Sequence, residues 1–145
     1  MQKNSGDLGD MIKVFFDGSC EPVNPGGDIR YGAVIFKHEE IIHEIAKKIN
    51  LPTEERTNNV AEYCGLISAI NYLLFHKLEN EEIYIFGDSK LVIMQSSGLW
   101  NANGGAYMEY YSQAQNKIKK FTNLNFEWIS KEKNKHADKL SRQVK

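Results

Sequence analysis

The sequence predicts an α/β fold: a five-stranded mixed sheet whose first three strands are antiparallel, with helices on both faces. Two short runs carry most of this expectation. MIKVFFDGS (residues 11–19) and EEIYIFGDS (residues 81–89) are largely apolar, and each closes on an aspartate followed by glycine or serine, as buried strands that stop in turns do. Between them, two further β-type segments are separated only by the polar HEE, which reads as a hairpin. A stripe of apolar residues at helical spacing then crosses residues 57–75.

Taken in order, the first run is rich in β-branched and aromatic residues and makes a strand ending at Asp17-Gly18. CEPVNPGGDIR (20–30), with two of the three prolines and a Gly-Gly pair, is a loop. YGAVIFK (31–37) and EIIHEIAKKI (40–49) are the second and third strands of a meander. In TNNVAEYCGLISAINYLLF (57–75), Glu62, Leu66, Ala69, Ile70 and Leu73 form one core-facing helical stripe. That stripe begins with a carboxylate, which can leave water only with a cation, a hydrogen-bond network or a place at the rim. The second apolar run is a central strand covered on both faces, and Ser89 caps a short helix, KLVIMQSS (90–97). GLWNANGGAY (98–107) breaks the pattern, and helical spacing resumes through Tyr107, Tyr111, Ala114, Ile118 and Phe121. LNFEWIS (124–130) alternates as a strand, and HADKLSRQV (136–144) closes as a helix. With no repeat and no long linker, a single domain over residues 11–145 is expected, preceded by a flexible tail at residues 1–10.

At 145 residues, 41% hydrophobic and 26% charged, the composition is that of a globular chain able to bury a core without disulfides or a structural metal. The polar opening stretch has no apolar run, so neither a signal peptide nor a membrane anchor is expected. Cys20 and Cys64 lack the spacing of a zinc or redox motif, and an intracellular, cytoplasmic location follows. A formal net charge of -1 excludes a protein that coats nucleic acid by bulk charge. The average hides an asymmetry: residues 117–145 hold nine Lys and Arg against three Asp and Glu, leaving nine against sixteen elsewhere. Lys117, Lys119, Lys120, Lys131, Lys133 and Lys135 are then a candidate phosphate-facing cluster, or a solvated face.

Ligands of open α/β sheets bind beyond the carboxyl ends of strands, where Asp17 and Asp88 are expected. Each has an ordinary alternative as a turn residue. Glu62 could complete a capping box with Asn59, and Asp138 could be an acid at a helix start. If the sheet forms as described, however, all four acids converge. Like charges that close repel unless divalent cations join them, and hard oxygen ligands of this kind suit Mg²⁺ or Mn²⁺. Two such ions, about 3.5–4 Å apart, suit phosphodiester hydrolysis.

The set DGS at Asp17, NPGG at Asn24, YGAV at Tyr31, TNNVAE ending at Glu62, GDS at Asp88 and HAD ending at Asp138 closely resembles type 1 ribonuclease H in residue type, order and spacing. The similarity runs from about Ile12 to about Arg142. It implies a ribonuclease H-like fold and endonucleolytic cleavage of the RNA strand of RNA–DNA hybrids, with two Mg²⁺ or Mn²⁺ ions per active site and 5′-phosphate and 3′-hydroxyl products. By the same resemblance, Asp17 bridges both metals, Asp138 completes the site of the attacking water, and Glu62 and Asp88 complete the leaving side. Glu62 also touches an RNA 2′-hydroxyl, the group that separates RNA from DNA. Asn24, Asn58 and Asn59 match minor-groove contacts and Thr57 a DNA-phosphate contact. Gly18, Ser19, Ser89 and Lys90 complete the expected substrate-binding set, Lys90 standing where some relatives have glutamine.

The sequence departs from better-known members in having Trp128 where bacterial relatives often carry a loop histidine for product release, and His136 is read as a surface residue. No basic insertion follows KLVIMQSS, making this a short form without the protrusion that grips hybrid in some relatives. Two other readings remain: a non-catalytic hybrid-binding module, and another metal-dependent nuclease of the same fold. A monomer is expected, because no apolar seam is left over once the sheet is covered.

Overall fold

In the computed structural model, which describes residues 11–145, the elements follow the expected order: β1 (Ile12–Glu21), β2 (Asp28–Lys37), β3 (Glu40–Ile49), α1 (Asn58–Phe75), β4 (Ile83–Gly87), α2 (Lys90–Ser96), α3 (Met108–Ile118), β5 (Leu124–Trp128) and α4 (Lys135–Gln143). The tail expected at residues 1–10 lies outside the described residues. The five strands are ordered β3-β2-β1-β4-β5. β1, β2 and β3 pair antiparallel, and β4 and β5 join in parallel, which requires the helical crossovers between them.

The first strand differs from its expected bounds. β1 does not stop at Asp17; it pairs with β2 as far as Glu21 opposite Asp28, so only the residues between Glu21 and Asp28 form the loop. Its Pro and Gly residues mark the turn, while Cys20 and Ile29 on either side are buried and close the ladder. The β2–β3 connection is also tighter than HEE suggested. His38 and Glu39 alone make the turn, both at positive φ (56° and 62°), the conformation that matches a two-residue hairpin to the strand twist.

Periodicity explains the two layers. On β1, Ile12, Val14 and Phe16 are fully buried against α1, whose Leu66, Ala69, Ile70 and Leu73 are fully buried in return. α3 and α2 cover the same face around β4, where Ile83 and Ile85 are buried. The other face of β4 is only half-buried, short of the two-sided cover expected. α4 crosses the opposite face of β2, β1 and β3. A buried polar chain ties the helices together: Tyr63 Oη donates to Gln95 Oε1 at 2.7 Å, and Gln95 Nε2 donates to Tyr107 Oη at 3.1 Å. Residues 98–107 link α2 to α3 without a further helix or strand, in keeping with the missing protrusion. Among the described residues no helix is long and apolar enough to cross a membrane.

Candidate active site

The parallel ladder of β1 and β4 ends at the pair Phe16 and Gly87, while β1 continues along β2. Asp17 is therefore the first residue of β1 beyond its β4 partner, at a notch in the sheet. Asp88 follows β4 directly, at the carboxyl end of that strand.

Two glycines let α1 settle on this notch. A Cβ on Gly18 would lie 2.3 Å from the backbone C and O of Ala61, and one on Gly65 would lie 2.8 Å from the Asp17 carbonyl oxygen. With no side chain at either point, helix backbone rests on strand backbone and Glu62 reaches Asp17. α4 makes a similar approach from the other face over Gly32, the cross-strand partner of Asp17. A Cβ there would stand 2.6 Å from the Ser141 nitrogen and 2.9 Å from the Ala137 oxygen. That approach brings Asp138 to the notch.

Asp17, Glu62 and Asp88 each offer a carboxylate oxygen, and these atoms lie within 4.8 Å of one another. Desolvation raises the Asp17 carboxyl to about 7, helped by the charges of Asp88 and Asp138 and opposed by the Gly18 N–H. A hydrogen bond with Asp138, which only a protonated carboxyl can supply, raises it further. Glu62 lies well above its ordinary range, again chiefly through desolvation and then through Asp17 and Asp88, with the Gly18 N–H and Lys131 acting the other way. Glu62 Oε1 is buried with no hydrogen-bond partner among the described residues. An orphaned carboxylate oxygen beside two more acids is a donor set that fits a hard divalent cation. Asp138 sits just outside the three converging acids, with Oδ1 accepting from Arg142 Nε at 3.0 Å.

The capping alternative for Glu62 does not hold. Thr57, rather than Asn59, caps α1, its Oγ1 accepting from Val60 N at 3.2 Å. Ser89 caps α2 as expected, accepting from Val92 N at 3.3 Å. Asn24 Oδ1 accepts from Asn58 N at 3.1 Å, and Asn58 Oδ1 accepts from Cys20 N at 2.9 Å. Both amides thus use their oxygens to fix the first loop to the start of α1, beside half-buried Asn59. Ser19 lines a recess with Glu21, Arg30 and Arg142. Exposed Lys90 lies 5.8 Å from the centroid of the Trp128 ring.

Trp128 occupies the last position of β5, where its Nε1–H donates to the Asp88 carbonyl at 3.1 Å; it anchors the strand end and is no loop residue. His136 Nε2 lies 2.6 Å from Glu44 Oε2 on the surface, joining α4 to β3. Exposed pairs of this kind contribute about 0–1 kcal/mol. His136→Ala is accordingly expected to lower turnover less than about tenfold, or roughly 1.4 kcal/mol of barrier, as steady-state rates would show.

The lysine cluster is divided in space. Lys117, Lys119 and Lys120 end α3 beside the start of β5, and Leu124 pairs with Ile83 at the far end of β4 from Asp88. Lys131, Lys133 and Lys135 follow the opposite end of β5, and Lys131 is near enough to act on Glu62. Asn134 carried no signal in the sequence, yet it is 1% exposed and donates to Asp88 Oδ2 at 3.0 Å.

The chain is similar in sequence and fold to known proteins. A family model described as reverse transcriptase-like matches residues 15–144. The bifunctional protein Rv2228c of Mycobacterium tuberculosis is 37% identical over 120 residues, covering 81% of this chain and 31% of that protein. The chain thus spans about a third of the length of the first curated relatives it matches. The solved N-terminal RNase H domain of Rv2228c superposes with a TM-score of 0.80 at 34% identity, covering 92% of this chain and 91% of that one. LC11-RNase H1, solved in complex with an RNA/DNA hybrid, also gives 0.80, at 30% identity and with 92% and 95% coverage.

Proposed function

The chain belongs to the reverse transcriptase-like family, and from that premise we propose that it is a ribonuclease H that cuts the RNA strand of RNA–DNA hybrids internally, leaving 5′-phosphate and 3′-hydroxyl ends. The observation that carries this reading is the convergence of Asp17, Glu62 and Asp88 within 4.8 Å at the notch where β4 ends. The hybrid in the LC11-RNase H1 structure supports the choice of substrate.

Asp17, Glu62, Asp88 and Asp138 are the residues to hold two Mg²⁺ or Mn²⁺ ions, which when bound supply activation of water and stabilisation of the leaving oxygen. On the resemblance to type 1 ribonuclease H, Asp17 would be shared by both ions, Asp138 would complete the site of the attacking water, and Glu62 and Asp88 would complete the leaving side. Glu62 is also the residue to meet the RNA 2′-hydroxyl, a role that rests on the resemblance to type 1 ribonuclease H. Asn24 and Asn58, their oxygens engaged within the protein, present NH₂ donors to acceptors in the minor groove of the hybrid. The protein acts as a monomer in this reading.

The test is cleavage of one labelled sequence prepared as hybrid, double-stranded RNA, double-stranded DNA and single-stranded RNA, with Mg²⁺, with Mn²⁺ and with chelator. Metal-dependent cutting of the hybrid RNA alone, lost in Asp88→Asn while hybrid binding persists, is the expected result. Binding without cutting by the folded wild type would instead indicate a non-catalytic hybrid-binding module, and cutting of duplex DNA another nuclease of the same fold.

The divided lysines give a second expectation. Lys131→Ala with Lys133→Ala should flatten the salt dependence of hybrid binding, because each lost phosphate contact removes about one counterion from the slope. Lys119→Ala with Lys120→Ala should leave the slope nearly unchanged. Filter-binding curves across a salt series read both, and the reverse ranking would place the hybrid at the other end of the sheet.

A further inference from the structure

We propose that Asn134 is a positioning residue that sets the carboxylate of Asp88 for metal binding, an inference that rests on the metal-dependent reading of the acidic site. A single NH₂ group makes two bonds: Asn134 Nδ2 donates to the Phe16 carbonyl at 2.9 Å and to Asp88 Oδ2 at 3.0 Å. Both partners are acceptors, so the orientation of the amide is fixed by chemistry.

The two partners sit where regular pairing stops. Phe16 and Gly87 are the last pair of the β1–β4 ladder, so β4 offers no further strand donor beyond them. Asn134 supplies one from the start of α4. It thereby fixes the residue before Asp17 and the carboxylate of Asp88 to one rigid group. The main chain of Asp88 is fixed separately, by the Trp128 indole N–H on its carbonyl. Backbone and side chain of Asp88 are thus each restrained by a different element.

Residue type supports the same conclusion. Asn134 is 1% exposed, and its Oδ1 is buried with no partner among the described residues, which makes it a poor choice for stability alone. It caps no helix nitrogen despite standing at the N-cap of α4. A lysine at this place could also donate to Asp88, but its charge would compete with a cation. A neutral amide engages Oδ2, fixes the rotamer and leaves the negative charge of the carboxylate for the ion.

The experiment is Mn²⁺ titration by calorimetry, with thermal midpoints in chelator, on the wild type, Asn134→Ala, Asp88→Asn and the double variant. Asn134→Ala is expected to weaken Mn²⁺ binding about 10–100-fold, the usual effect of losing a bond that orients a metal-binding side chain. Cleavage should recover toward the wild-type maximum as the metal is raised. In the Asp88→Asn background the same change should cost little further affinity, because the route through Asp88 is already gone. A lowered thermal midpoint with unchanged Mn²⁺ affinity, or equal losses in both backgrounds, would overturn the proposal. Should Asn134→Ala not fold, the side-chain NH₂ resonances of Asn134 in the wild type serve instead. They are expected to exchange slowly and to shift in Asp88→Asn, and fast exchange or no shift would count against the bond. If the wild type binds Mn²⁺ but cuts no hybrid, the functional reading fails while the titration still decides the role of Asn134.

Discussion

Asp17→Asn is expected to abolish hybrid cleavage and, in chelator, to raise the thermal midpoint of the protein. Asp17 is 4% exposed and shares the notch with two other converging acids, so ionising it without a cation costs both desolvation and repulsion. A neutral amide of the same shape keeps the Gly18 N–H as a partner and removes both costs. The gain should be on the order of 5 °C, the scale on which about 2 kcal/mol moves a domain of this size. The pH dependence fixes the sign. The Asp17 carboxyl lies at about 7 in the folded chain against 3.8 ordinarily, so the folded state holds a proton that the unfolded state has released. That contribution is complete below about pH 4 and is lost as pH rises through about 7. Thermal midpoints in chelator should therefore fall more steeply between these values for the wild type than for Asp17→Asn. With Mg²⁺ or Mn²⁺ present the wild type should regain stability, since cations and protons compete for the same oxygens. Parallel pH profiles for the two proteins, or a lowered midpoint in the variant, would show that Asp17 is paired within the protein and is not kept for an ion.

The four acids were legible in the sequence because each sits beside a local signal: an apolar run ending, a helix stripe beginning, a helix start. Why Asp17, Glu62 and Asp88 converge was only partly legible. Asp17 looked like a strand end because Asp-Gly after an apolar run imitates a turn. In fact β1 continues, and the neighbouring strand is the one that stops, which no reading of β1 alone can reveal. Asn59 offered itself as the cap of α1 through its spacing to Glu62, and only the geometry selects Thr57. Asn134 was invisible for a stronger reason. Its partners lie 118 and 46 residues away, and an asparagine before a helix has an ordinary explanation as a cap. The lysines form one cluster in sequence and two in space because β5 runs the length of the sheet between them.

The glycines at the notch supply the other large effect. Gly18→Ala is expected to destabilise the fold by on the order of 3 kcal/mol and to cost at least about a hundredfold in cleavage, the scale set by overpacking and by small misplacements of reacting groups. The new Cβ would stand 2.3 Å from Ala61 C and O and 2.5 Å from Glu62 N, all backbone atoms, so no side-chain rotation can relieve the clash. α1 must lift, and Glu62 lifts with it. Gly32→Ala applies the same logic on the other face, where the Cβ would meet Ser141 N, Leu140 Cβ and Ala137 O. It should displace α4, and hence Asp138 together with the Asn134 amide that holds Asp88, while leaving Glu62 on α1 against Asp17. The two variants therefore separate the acids by the helix that carries them. Mn²⁺ titration and single-turnover cleavage would compare them at matched folded fractions. Gly18→Ala should lose metal affinity through Glu62 whether or not Asn134 is intact, whereas the loss in Gly32→Ala should run partly through the Asn134–Asp88 bond and be smaller in an Asn134→Ala background. Equal behaviour in the two assays would mean that the sheet itself distorts, and that close approach of the two helices is not what assembles the site.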